Sequence, residues 1–142
     1  MLEVAGRDPS GTTARDLGFA AGPRLNAAGR LQDMSLGVEC LLTDDAARAI
    51  RIARELDALN RRRRAIEDEM KAQAEAVLER LDAGGGTLPP AFCLFDPAWH
   101  QGVIGILASR IKDRLHRPTI AFADGDPGQI KGSARSIQGI HI

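Results

Sequence analysis

Apolar and small side chains recur every three or four residues between Thr43 and Asp82, with no proline or glycine between them. This spacing places them on one face of a single long helix. The positions are Ala49, Ala53, Leu56, Leu59, Ile66, Met70, Ala74, Val77 and Leu81. Thr43, Asp44 and Asp45 can cap the start of this helix, and the run Gly84–Gly86 should end it.

A helix of this length spans about 60 Å, which suits either a coiled coil or a connector between two domains. The stripe is weak for a coiled coil, because several members are alanines and because Asn60 and Arg63 interrupt its middle. We therefore predict a connector whose apolar ends pack on two domains and whose charged middle faces solvent or a groove. The run Arg61–Arg64 lies in that middle, and the carboxylates of Asp57 and Glu67 favour a solvated, ion-paired face over a nucleic-acid site.

The pattern changes after the three glycines. Residues 91–95 form a short apolar run typical of a buried strand, residues 101–115 predict a helix, and residues 119–123 form a second strand. A third strand, residues 129–136, follows a turn and should pair antiparallel with the second. Strand, helix and strand in this order predict two parallel strands joined by a helix, so the fold class is α/β.

The first 42 residues predict shorter elements. A capping-box pattern at Thr13 indicates the start of a helix that Gly18 should keep short. Residues 22–30 contain glycine, proline and asparagine, which oppose regular structure, so a loop is expected there. Residues 35–42 should form a short helix.

Composition narrows the range of functions. The chain has 19 Lys or Arg and 19 Asp or Glu, so as a whole it presents no strong field to a polyanion. With one Trp, four Phe and no Tyr, a base-stacking platform of aromatic side chains is not expected. Cys40 and Cys93 are predicted to be buried, reduced thiols. No segment resembles a membrane span or a signal peptide, so we expect a cytoplasmic protein without a membrane partner.

Three stretches have the chemistry of a ligand site, although no motif of a catalytic centre is present. In the first, Arg24 and Arg30 can bind phosphate oxygens, Asn26 can donate an amide hydrogen bond, and small neighbours let a ligand approach. The alternative is a helix-linking loop whose arginines pair with carboxylates. Spacing alone favours neither interpretation.

The second stretch, residues 99–105, contains His100 and opens a predicted helix, whose free backbone N–H groups favour an anion. Gly102 and Gly105 each cost about 1 kcal/mol of helix stability relative to alanine. Either close packing of the helix on the sheet or the approach of an anion to the backbone should offset this loss of helix stability. Packing is the preferred explanation.

The third stretch is residues 131–136, where Ser133 and Arg135 share one face of the predicted strand. Together with Ser136 they supply two hydroxyls and a guanidinium beside small residues. This combination suits a strand that lies along a sugar-phosphate backbone. An exposed edge strand protected by charge is the open alternative.

Four stretches, in matched order and spacing, resemble the RecJ-type single-stranded-DNA exonucleases. They are Leu17-Gly18-Phe19 followed by residues 22–30, residues 34–42 (Met-Ser-Leu-Gly-Val-Glu-Cys-Leu-Leu), residues 99–110 (Trp-His-Gln-Gly-Val-Ile-Gly-Ile, then Ala-Ser-Arg) and residues 131–136 (Lys-Gly-Ser-Ala-Arg-Ser). The last two resemble the opening and the substrate-binding strand of a DHHA1-type domain.

This resemblance implies a phosphoesterase of the DHH superfamily that degrades single-stranded DNA from the 5′ end in DNA repair and recombination. It implies Mn²⁺ or Mg²⁺ bound by Asp and His of the N-terminal domain. Residues 1–42 would be the C-terminal edge of that catalytic domain, residues 43–83 the connector helix, and residues 84–142 the start of the DHHA1 domain. The full-length protein is expected to be a monomer.

The resemblance also implies the DNA-binding residues, which would position the backbone from two walls of a groove. One wall carries Arg24, Asn26 and Arg30, and the other carries His100, Arg110, Ser133, Arg135 and Ser136. No catalytic or metal-binding residue of this chain follows from the resemblance, because the Asp-His-His motif of the superfamily is not in the sequence. We therefore expect a segment of a longer protein, with the metal ligands upstream of Met1, that is inactive by itself.

Two other functions stay open. One is a phosphodiesterase of the same superfamily for oligonucleotides or cyclic dinucleotides. Such enzymes resemble this chain less, because they usually carry Gly-Gly-Gly-His where residues 132–135 are Gly-Ser-Ala-Arg. The other is a non-catalytic module that binds nucleic acid or dimerises through the long helix.

Overall fold

A computed structural model of the chain describes residues 1–82, 88–140 and 142. It divides into two compact units, unit 1 from Met1 to Ala65 and unit 2 from Ile66 to Ile142. The predicted stop of the long helix at Gly84–Gly86 lies outside the described residues.

Unit 1 is built from helices. After two 3-10 turns, Glu3–Ala5 and Pro9–Gly11, α1 (Ala14–Asp16) leads through the π-helical stretch Leu17–Ala21 into α2 (Gly22–Leu31). The helix α3 spans Ser35–Leu42, and α4 spans Ala46–Asp82. The part of α4 as far as Ala65 belongs to unit 1 and the rest to unit 2.

The predicted loop over residues 22–30 is wrong, because this stretch forms α2. Pro23 lies in the first turn, where a helix loses no backbone hydrogen bond to proline. Ala27 and Ala28 are fully buried against Ile52 and Leu56 of α4. Packing of this small-residue face overrides the weak helix propensity of its glycine and asparagine residues.

The capping box at Thr13 is confirmed, since its backbone N–H donates to Asp16 Oδ2 (3.1 Å) and its hydroxyl accepts from the Asp16 backbone N–H (3.4 Å). The helix that begins there is not kept short by Gly18. It continues through a π-helical stretch directly into α2.

Asp45 caps α4, which therefore begins after the predicted Thr43. Its Oδ1 atom accepts hydrogen bonds from the backbone N–H groups of Ala47 (2.9 Å) and Arg48 (3.0 Å). The hydrogen bond from the Arg48 backbone is the main reason that the pKa of Asp45 lies below its ordinary value of 3.8.

The apolar stripe of α4 is confirmed for most of its members. The buried ones are Ala53, Leu56, Leu59, Met70 and Ala74, and they are joined by Ile52 and Leu78. Ala49 and Ile66 are half-buried, while the side chains of Val77 and Leu81 lie outside the described residues.

The middle of α4 is only partly as predicted. Arg61 is exposed and pairs with Asp57 (3.4 Å), as the four-residue spacing indicates. Asn60, however, is 1% exposed, and its Oδ1 accepts a hydrogen bond from Arg63 Nη2 (3.3 Å). Asn60 therefore belongs to the buried face of the helix, where its amide oxygen has a donor.

Unit 2 contains a three-stranded mixed sheet and α5 (Ile104–Leu115). The strands are β1 (Phe92–Phe95), β2 (Thr119–Asp124) and β3 (Ile130–Arg135), in the order β1-β2-β3. β1 is parallel to β2, with Phe92 opposite Thr119, and β2 is antiparallel to β3, with Thr119 opposite Arg135. The predicted α/β class, with a long helix and a mixed sheet, is confirmed.

The two faces of this sheet differ. Thr119, Ala121 and Ala123 of β2 are fully buried on one face, next to α5. On the other face Phe95 is 54% exposed and Cys93 is exposed. The prediction of a wholly buried first strand was therefore wrong, because α5 covers only the face that Phe92 shares with the buried residues of β2.

The prediction of two buried thiols was also wrong. Both cysteines are free, but Cys40 is half-buried and Cys93 is exposed. Partial burial raises the pKa of the Cys40 thiol. Among the described residues, no helix is both long enough and apolar enough to cross a membrane.

Replacing Leu56 tests the core of unit 1, because its side chain is fully buried there. Leu56→Ala should lower the free energy of unfolding by about 2–5 kcal/mol, since it removes transfer free energy and leaves a cavity. Leu42→Ala is the matched control, because Leu42 is 75% exposed, and it should change stability by less than about 0.5 kcal/mol. Denaturant unfolding followed by circular dichroism gives both values, and equal losses would contradict the core described here.

Asp45→Asn tests the cap of α4 through its pH dependence. Asparagine caps helices as well as aspartate does but does not titrate. Because the pKa of Asp45 is lowered in the folded state, its contribution is complete above about pH 4 and is lost as the pH falls through that lowered pKa. We expect equal stability of the two proteins at pH 7 and a steeper acid loss for the native chain, measured by thermal unfolding from pH 7 to pH 2. Parallel pH profiles would contradict the cap.

Candidate nucleic-acid interface

Arg135 is the centre of a polar cluster between β3 and α5. Its Nε–H donates to Ser109 Oγ (2.9 Å), while Nη1 donates to Ser133 Oγ (3.0 Å) and to the Ala134 carbonyl (2.7 Å). A guanidinium carries five N–H donors, so these bonds leave the two on Nη2. Within the part of the chain that the structure describes, Nη2 has no hydrogen-bond acceptor. The prediction that Ser133 and Arg135 share one strand face is confirmed.

Gly105, in the first turn of α5, makes room for this cluster. A Cβ atom at this position would lie 2.8 Å from Arg135 Nη2 and 2.9 Å from Ser133 Oγ. Both distances are shorter than van der Waals contact. Close helix–sheet packing therefore explains this glycine, and the groups that pack on it are the polar ends of two side chains from β3.

His100 and Gly102 lie in the turn before α5, which begins at Ile104 rather than at the predicted Gln101. The Gly102 backbone N–H donates to His100 Nδ1 (3.0 Å). Because Nδ1 is an acceptor, the neutral imidazole carries its proton on Nε2 and can donate there. No hydrogen bond among the described residues joins His100 to Ser133 or Arg135.

The other two candidates of unit 2 lie near the cluster in sequence but bond elsewhere. Arg110 follows Ser109 on α5, and its Nε lies 3.5 Å from Glu67 Oε1 of α4. Ser136 follows Arg135, and its Oγ accepts a hydrogen bond from the Ile142 backbone N–H (3.0 Å).

In unit 1, α2 carries all three candidates. The guanidinium of Arg24 pairs with Asp57 Oδ1 through Nη2 (2.7 Å) and Nε (2.9 Å), and its Nη1 donates to the Ala20 carbonyl (2.7 Å). Its side chain is only 13% exposed. The pair with Asp57 is the kind of carboxylate contact that the alternative interpretation predicted. Asn26 and Arg30 are exposed on the same helix.

Sequence reasoning missed Ser109, whose hydroxyl accepts from Arg135 and donates to the Gly105 carbonyl (3.0 Å). The signal available was its position four residues after Gly105, which puts both on one face of α5. Gly132 also has a packing role that the sequence did not indicate. A Cβ there would lie 2.5 Å from the ring of Phe122, its partner across β2 and β3.

Within the described residues, no group of three or more His, Cys, Asp or Glu side chains could hold a metal ion. The polar cluster around Arg135 contains no carboxylate. It offers N–H and O–H groups and a positive charge, which is the chemistry of an anion site.

Comparison with known proteins agrees with this picture. Residues 88–142 match the DHHA1 domain. The single-stranded-DNA-specific exonuclease RecJ of Salmonella typhimurium is 56% identical over 142 residues, which are 100% of this chain and 25% of that protein. The protein of the same name from Bacillus subtilis is 34% identical over 143 aligned positions, again 100% of this chain and 18% of that protein. The chain thus spans a quarter or less of these relatives.

Solved structures give the same result. RecJ of Thermus thermophilus in complex with Mg²⁺ has a TM-score of 0.77 and 36% identity, over 97% of this chain and 20% of that one. An exonuclease RecJ bound to manganese has a TM-score of 0.76 and 35% identity, over 97% of this chain and 33% of that one. The chain is thus similar to RecJ proteins in sequence and in fold over nearly all of its residues, and its residues 88–142 match the DHHA1 domain.

Proposed function

We propose that this chain is the DNA-backbone-binding part of a metal-dependent exonuclease that degrades single-stranded DNA from the 5′ end. The names of the relatives support the parent activity. The role that we propose for this segment rests on one observation. Hydrogen bonds to Ser109 and Ser133 fix the Arg135 guanidinium and leave its Nη2 for a ligand.

Phosphate is the ligand that fits this cluster best. The two N–H groups of Nη2 can donate to phosphate oxygens, and charge-assisted hydrogen bonds of this kind are about twice as strong as neutral ones. The Ser133 hydroxyl accepts from Arg135 and can direct its own proton to a second oxygen. Contacts to phosphate carry no base information, as a nuclease that acts on any sequence requires.

Each unit offers further residues for contact with the DNA backbone. In unit 2, His100 can donate a hydrogen bond from Nε2. Arg110 directly follows Ser109 in the chain, and Ser136 directly follows Arg135. In unit 1, Asn26 and Arg30 are exposed on α2 and fit a backbone contact. Arg24 fits a DNA contact less well than Asn26 and Arg30 do, because its ion pair with Asp57 already offsets its charge.

The structures of relatives with Mg²⁺ or Mn²⁺ support a divalent metal in the parent protein. The described residues do not fit such an ion, so we assign its ligands to other parts of the parent. The residues of this chain would instead hold the DNA backbone in a fixed position while hydrolysis occurs at the metal. Positioning of this kind removes much of the entropic barrier to a reaction.

Arg135→Ala in the full-length parent tests the phosphate contact. Binding of a 5′-phosphorylated single-stranded oligonucleotide, measured by fluorescence anisotropy in chelator to prevent hydrolysis, should weaken about tenfold or more. The slope of log K against log salt should become less negative by about 0.7 for each phosphate that the variant no longer binds.

Arg117→Ala is the matched control for that experiment, because the exposed Arg117 donates to the neighbouring His116 carbonyl and takes no part in the cluster. It should leave both affinity and slope almost unchanged. An Arg135 variant that binds like the native parent would overturn the proposed phosphate contact. Stronger binding of dinucleotides or cyclic dinucleotides than of long strands would instead support the alternative function, a phosphodiesterase for oligonucleotides or cyclic dinucleotides.

The isolated 142-residue chain should lack nuclease activity, because the described residues hold no metal cluster. The measurement is release of nucleotides from labelled single-stranded DNA in the presence of Mn²⁺, with the full-length parent as the positive control. Manganese-dependent release by the purified chain, abolished by a chelator, would contradict the assignment of the metal site to other parts of the parent.

A further inference from the structure

We propose that Ser109 is a positioning residue for Arg135, and that Gly105 and Ser109 together set the direction in which the guanidinium presents Nη2. This inference rests on the proposed role of Arg135 in binding the DNA backbone. Neither residue needs to touch DNA for the proposal to hold.

The Ser109 hydroxyl is fixed in orientation by two hydrogen bonds. Its single proton goes to the Gly105 carbonyl (3.0 Å), one helical turn earlier, so its lone pairs face outward from α5. One of them accepts from Arg135 Nε (2.9 Å). An acceptor held in this way fixes the plane of the guanidinium as well as its position.

This arrangement divides the donors of Arg135 between the protein and a ligand. Nε is committed to Ser109, and Nη1 is committed to Ser133 and to the Ala134 carbonyl. Only Nη2 remains, and it lies over the Cα of Gly105, where a side chain would displace it. Arginine is long and flexible, so without Ser109 the guanidinium could rotate and lose the direction of Nη2.

Binding of a 5′-phosphorylated single-stranded oligonucleotide to the full-length parent, in chelator, tests this role. Ser109→Ala should weaken binding about threefold to tenfold, the effect expected when one hydrogen bond is removed. Ser109→Thr keeps the hydroxyl and should bind like the native protein. Asp113→Ala, on the exposed side of the same helix, is the matched control and should have no effect.

A double-mutant cycle separates positioning from an independent contact. If Ser109 acts through Arg135, then Ser109→Ala should change affinity by less than about twofold in the Arg135→Ala background. An equal loss in both backgrounds, or native binding by Ser109→Ala while Arg135→Ala binds weakly, would overturn the inference and leave the proposed function standing. Native binding by Arg135→Ala would instead overturn the proposed function itself.

Gly105→Ala provides a readout that a purely structural role would not give. Alanine favours the helix more than glycine does, and the atoms that its Cβ would meet are the movable ends of two side chains. We therefore expect an unchanged or higher melting temperature together with weaker oligonucleotide binding. A variant that binds as tightly as the native parent would show that the space over Gly105 does not set the direction of Nη2.

Discussion

The apolar face of α4 supplies part of the buried core in each compact unit. In unit 1, Leu56 and Leu59 pack with the alanine face of α2, and in unit 2, Met70, Ala74 and Leu78 are buried. A fully buried leucine or methionine side chain contributes about 1.5–3 kcal/mol relative to an exposed one. Each unit therefore draws part of its core from its own part of this helix, which spans Ala46–Asp82.

Packing of the sheet on α5 brings the members of the polar cluster together. The buried residues of β2 fix the sheet against the helix, and the antiparallel register then sets Ser133 and Arg135 opposite Ala121 and Thr119. Because these two polar side chains share the face of the sheet that α5 covers, the helix needs a small residue beneath them. The glycine that weakens α5 is thus the residue that admits the guanidinium.

Several predictions from the sequence failed for one reason, which is that local propensity was weighed without its tertiary partner. Residues 22–30 have the composition of a loop but form α2, because Ala27 and Ala28 are buried against α4. Cys93 lies in an apolar run but is exposed, because it lies on the face of β1 opposite the buried Phe92. The sequence had left two interpretations of Arg24 open, and its ion pair with Asp57, 33 positions later in the chain, matches the carboxylate-paired one.

Period and order along the chain were enough to determine the α/β class, the long helix, the three strands with their pairing, and the shared strand face of Ser133 and Arg135. The extents of the helix and strands and the shared strand face are local properties, set by side-chain spacing that the backbone repeats. The pairing of the strands follows from the order of the elements along the chain. The family resemblance was also visible in the sequence itself. Only the tertiary structure decided that Ser109 holds Arg135 and that Arg24 is ion-paired, because these contacts join residues far apart in sequence whose meeting depends on how helices and strands pack.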